Sequence, residues 1–130
     1  MLREYRTKPI DRSQLLAELT ELCSVLERNH FSDVAVSFGW DSNIPIDSMW
    51  DKHIVDVKDV HSFIARSEQS GLVGLGSGDV FIEAPQFEFL LCHEGDVHVK
   101  GSSGLVQQFV HRWEMLGYSP YEVPHENPET

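Results

Sequence analysis

Apolar residues recur at three- and four-residue steps from Leu15 through Leu16, Leu19, Leu22 and Cys23 to Leu26, which predicts an amphipathic helix capped by Asp11 or Ser13. Glu18, Glu21, Glu27 and Arg28 fall on the other side and are expected to be solvated. From Asp33 to Trp40 the period shortens to two, with Val34, Val36 and Phe38 alternating against small or polar residues, as on a strand packed on one face. The stretch 41–57 has no clear period and fits a long loop, a short helix, or a second strand around His53 to Val57. Asp59 then caps a helix with Val60, Phe63 and Ile64 inward, ending near Gly71.

After Gly71, glycines at 74, 76, 78 and 95 and Pro85 divide the chain into three or four short strands, an antiparallel meander. Ser102 or Ser103 can cap a last helix, in which Leu105, Val106, Phe109, Val110, Trp113 and Leu116 share one broad face before Gly117. The expected fold is α+β: an antiparallel sheet of about four to five strands, packed on one face against the N-terminal and C-terminal helices. Arg3, Arg6 and Lys8 read as a basic leader. Residues 1–123 are expected to form one domain and 124–130 a flexible tail.

Composition narrows the function classes. Ten basic and 21 acidic side chains leave a formal charge of −11, a field that repels nucleic acid and anionic lipid and attracts basic proteins. Neither nucleic acid nor membrane is expected as a partner, and the acid excess also serves plain solubility. The N-terminus lacks the apolar core of a secretory signal, and no run approaches the roughly 18 apolar residues of a membrane span. Cys23 and Cys92 both sit among apolar neighbours and make no disulfide framework, which points to the cytoplasm.

Chemistry concentrates in FLLCHEGDVHVK, Phe89 to Lys100. With a two-residue turn at Glu94 and Gly95, Cys92 faces Val97 and Leu90 faces Val99 on one side, while His93 lies across from Asp96, and Leu91 across from His98, on the other. A turn at Gly95 and Asp96 makes His93 and His98 direct neighbours on that same second face. Either way His93, Asp96 and His98 are expected to share a face, an acceptable metal set, whereas Cys92 points through the sheet and is excluded. A charged hairpin edge or a hydrogen-bonded cluster accounts for the same residues without metal, and no cofactor is expected.

Other motifs carry less. GLGSGD lacks the lysine and the following helix of a phosphate loop, KGSSGL reads as a helix cap, and DSNIPID lacks the glycine and closing glutamate of a calcium loop. No serine lies in a nucleophile elbow, and Glu83 and Glu88 flank Pro85 as outward strand residues. Core burial is the simpler expectation for Trp40 and Trp50. Were they exposed, Asp41, Asp47, Trp50, Asp51, Glu94 and Asp96 would suit a basic protein partner, the aromatic residue anchoring and the carboxylates steering.

The run GDVFIEAPQFEFLLCHEGDVHV followed by LVQQFVHRWEMLGY resembles the small acidic immunity proteins of bacterial polymorphic-toxin and contact-inhibition systems. The resemblance implies a cytoplasmic α+β protein, without enzyme activity or cofactor, that binds and neutralises a cognate toxin domain. Two other expectations stand beside it: a metal-dependent enzyme using His93, Asp96 and His98, and a dimeric structural or regulatory subunit. The oligomeric state is left as monomer or homodimer.

Overall fold

The computed structural model describes residues 2–124, in the order β1 (Arg3–Arg6), α1 (Arg12–Arg28), β2 (Asp33–Phe38), β3 (His53–Asp56), α2 (Val60–Gln69), β4 (Val80–Ala84), β5 (Phe87–Leu91), β6 (Val97–Gly101), α3 (Leu105–Leu116) and β7 (Tyr121–Val123). The α+β class and the antiparallel pairing are as expected, but the sheet has seven strands, ordered β3-β2-β4-β5-β6-β1-β7, where four to five were expected. The additions include the basic leader, β1, and the last three residues before Pro124, β7. Neither has an apolar alternation, and each is held by the other end of the chain: Arg3 pairs with Gly101, and Glu4 pairs with Val123. Residues 125–130 of the expected tail lie outside the described residues.

Asp11 caps α1 through a reciprocal box: its carboxylate accepts from the Gln14 amide, and the Gln14 side chain accepts from the Asp11 amide. α2 starts differently from the expectation. The Asp59 side chain makes no cap bond, and a short 3-10 turn, whose Lys58 amide donates to Asp56, leads into the helix. Ser103 Oγ accepts from the Leu105 amide at the start of α3, and Gly117, at φ 77°, ends that helix in the left-handed region.

One buried cluster joins α1, α2 and α3 to a single face of the sheet. Across that face the registers align Val36, Ile82, Phe89, Val99 and Tyr5. Phe109 stands 5.1 Å from Phe89 and Trp113 stands 5.9 Å from Phe109, while Phe63 stacks on Phe38 at 6.1 Å. Glu18 overturns the solvated-face expectation. It is fully buried, accepting from the Trp113 indole and pairing with Arg112 at 2.9 Å. A carboxylate is tolerated there because charge and lone pairs are both answered.

Candidate functional site

Among the described residues the other face of the sheet carries no helix. Alternation puts two rows of side chains on it. One row runs Ser37, Phe81, Leu90, His98, Arg6 and Tyr121; the next runs Ile54, Ala35, Glu83, Glu88, Lys100, Glu4 and Val123. Between them lies a shallow groove of about 100 Å³ lined by Glu4, Phe81, Glu88, Leu90, His98 and Lys100. Glu83 lies directly opposite Glu88, an arrangement that destabilises a sheet. Lys52, 3.2 Å from Glu83, and Lys100, opposite Glu88, offset the repulsion.

Trp50 extends the apolar row at one end. Its indole lies over Gly39, where any Cβ would overlap the ring, and meets Phe81 edge-on at 6.1 Å. The Trp50 amide donates to Phe38 O at 2.8 Å, fixing the residue at φ 66°, so the loop holds the ring against the open face where β2 ends. Core burial, the simpler expectation for both tryptophans, is overturned: Trp50 remains 38% exposed and Trp40 59%. Ile54, on edge strand β3, is 69% exposed.

The hairpin between β5 and β6 departs from both two-residue turns. Gly95 donates to Cys92 O at 3.0 Å and sits at φ 89°, and the Cys92 amide donates to Asp96 O at 2.9 Å. The loop therefore has three residues, His93, Glu94 and Gly95, closed by a glycine in the left-handed bulge position. Leu91 faces Val97 and Leu90 faces His98. A shift of one residue exchanges the faces. Phe87, Phe89 and Leu91 point to the helices with Val97 and Val99, while Cys92, which was expected on the far side, shares the open face with Asp96 and His98.

The expected trio of His93, Asp96 and His98 is accordingly divided. His93 belongs with Asp79, a buried residue just before β4, whose Oδ1 accepts at 2.7 Å from both the His93 amide and Nδ1. This hydrogen bond raises the His93 pKa above its ordinary value, with help from the Asp79 charge. Asp79 also exchanges backbone bonds with the Trp-bearing turn, accepting from Gly39 and donating to Trp40 O, so it ties the hairpin to that loop. On the other side His98 Nε2 lies 2.7 Å from Asp96 Oδ2. Burial alone would raise the Asp96 pKa, but the bond with His98 and the neighbouring Cys92 thiol hold it below the usual carboxylate range.

Cys92 sits between the two pairs, its Sγ 3.8 Å from His93 Nδ1. Burial first, then the Asp96 and Asp79 carboxylates, push its pKa up to about 12, so the metal-free residue is a thiol and a poor nucleophile. Asp79 was missed because within GLGSGD it reads as a turn residue; only the approach of His93, 14 positions later, gives it a role.

Of the expected partner residues, Trp50 reaches the open face, and Asp96 lies on that face at the hairpin. Asp41 is exposed and close enough to His93 to raise its pKa, and Asp47 is exposed on the 3-10 turn Ile46–Ser48. Asp51 lines a separate cavity of about 440 Å³ with Phe38, His53 and Phe63, and Glu94 projects from the hairpin tip. Among the described residues no helix is long and apolar enough to cross a membrane. Comparison with known proteins finds no family model, no curated protein and no solved structure that matches the chain.

Proposed function

We propose that this chain is a non-enzymatic binding protein of the immunity type, which neutralises a basic toxin domain by docking it on the open face of the sheet. The observation that carries the reading is the uncovered face itself, where Trp50, Phe81 and Leu90 form an apolar row beside a row bearing Glu83, Glu88 and Glu4. An anchored aromatic residue supplies contact area without much loss of side-chain freedom, and the carboxylates beside it can exchange their lysine and arginine neighbours for the cations of a basic partner. The charge of −11 steers such a partner from a distance. The likeness to small acidic immunity proteins supports the toxin as the partner and the cytoplasm as the place.

The test mixes the purified chain with the protein encoded by the neighbouring reading frame. The expected result is a tight complex that blocks the toxin's activity, with an association rate that falls as salt rises. Trp50→Ala should weaken binding by about 2 kcal/mol, roughly thirtyfold. Absence of both binding and inhibition defeats the immunity reading. Binding that is indifferent to Trp50→Ala and to Glu88→Lys defeats the assignment of the face.

A further inference from the structure

We propose that the Cys92 thiol, the Asp96 carboxylate and the His98 imidazole form a site for one divalent metal ion of the borderline-soft class that zinc represents. Their ligand atoms all lie within 4.8 Å of one another, and tetrahedral zinc asks for donor atoms about 3.5 Å apart, so closure needs only small side-chain movements. Sulfur, imidazole nitrogen and carboxylate oxygen are a donor set suited to zinc, and three protein ligands leave a fourth position for water or a partner side chain.

The ladder brings the donors together. Cys92 and Asp96 are joined by the last backbone bond before the loop, and His98, two residues beyond Asp96, lies on the same face. An independent observation points to a missing ligand: Asp96 Oδ1 is buried and accepts no hydrogen bond among the described residues. A buried oxygen left in that state costs about 1–3 kcal/mol, and a metal ion would answer it.

Asp79, Cys92 and His93 form a second triad within 4.8 Å. Both triads need the same thiol, so only one can use it. In this second set Asp79 Oδ1 is already held by two 2.7 Å bonds from His93, which close the loop, and among the described residues no buried oxygen there is left without a partner as Asp96 Oδ1 is. At the Asp96 site the ion takes the place of the His98 Nε2 proton and is met by Asp96 Oδ1, the oxygen that has no other partner among the described residues; that ring proton passes to Nδ1, and the thiol proton passes to solvent. Arg6, across the ladder from His98, opposes a cation, but its guanidinium is engaged by Glu4 at 2.8 Å.

The site is independent of the toxin reading, because the test uses the purified full chain alone. Cobalt(II) is titrated as a spectroscopic probe and then displaced by zinc(II). One equivalent should bind with a thiolate-to-cobalt charge-transfer band, which Cys92→Ser abolishes. Asp96→Asn and His98→Gln should each weaken binding at least about tenfold, while Asp79→Asn keeps the band. No binding by the parent chain overturns the proposal, and so does loss of the band in Asp79→Asn together with its retention in His98→Gln. Should Cys92→Ser fail to fold by circular dichroism, His98→Gln decides: undiminished binding in that folded variant overturns the site.

Discussion

Adjacent residues of β5 live in different worlds. Phe89 is fully buried between its strand neighbours and Phe109, whereas Leu90 is only partly buried, in a charged groove on the opposite side. The helix-covered face is apolar across the middle of the sheet. The open face sets Phe81 and Leu90 beside opposed glutamates and holds a buried carboxylate oxygen without a partner among the described residues. Packing accounts for the first arrangement and not for the second, since the glutamate pair needs lysines to offset it and an unpaired buried oxygen lowers stability. The covered face specifies the fold; the open face retains features that a ligand or partner would complete.

The sharpest way to break this comparison is to truncate its two neighbours. Phe89→Ala should lose about 3–5 kcal/mol in urea unfolding, from lost transfer energy plus the cavity left behind, while Leu90→Ala should lose about 1 kcal/mol or less. Equal losses would mean that the open face is as tightly packed as the core. Glu18→Ala comes next. It strands Arg112 and the Trp113 indole and should cost about 3 kcal/mol, although the residue reads as an outward helix position. A surface role would show as a change under about 0.5 kcal/mol.

The smallest expected effect concerns the pair at the hairpin tip. Because His93 has a raised pKa in the folded chain, its bond to Asp79 contributes fully below the ordinary histidine value of about 6.5 and is lost as pH rises through the folded value. Urea midpoints in chelator should therefore fall modestly over that window, and Asp79→Asn should flatten the slope. A slope unchanged in Asp79→Asn would remove this pair as its source.

Much of the architecture was legible where periodicity is strong: α1 and α3 have long apolar stripes, β2 alternates, and α2 places Val60 and Ile64 inward. The hairpin register was legible too, but in a different place from the polar letters. Phe87, Phe89 and Leu91 are the dominant apolar alternation of β5, and matching them to Val97 and Val99 requires an odd number of loop residues. Reading the turn first put Leu90 and Cys92 on the apolar face instead, and every polar neighbour moved with them. Nothing comparable marks β1 or β7, whose short, charged segments become strands because distant strands offer them free backbone groups.

The sequence by itself determined the α+β class, the three helical segments, the strong negative charge and the clustering of thiol, imidazole and carboxylate near one turn. Each is set by local period or by simple composition. Only the tertiary structure decided that Glu18 is buried, that Trp50 stands on Gly39 beside Phe81, that His93 turns to Asp79, and that Cys92 shares a face with Asp96 and His98. Those outcomes depend on partners 11 to 95 residues away or on a single residue of loop length, and a periodic pattern records neither.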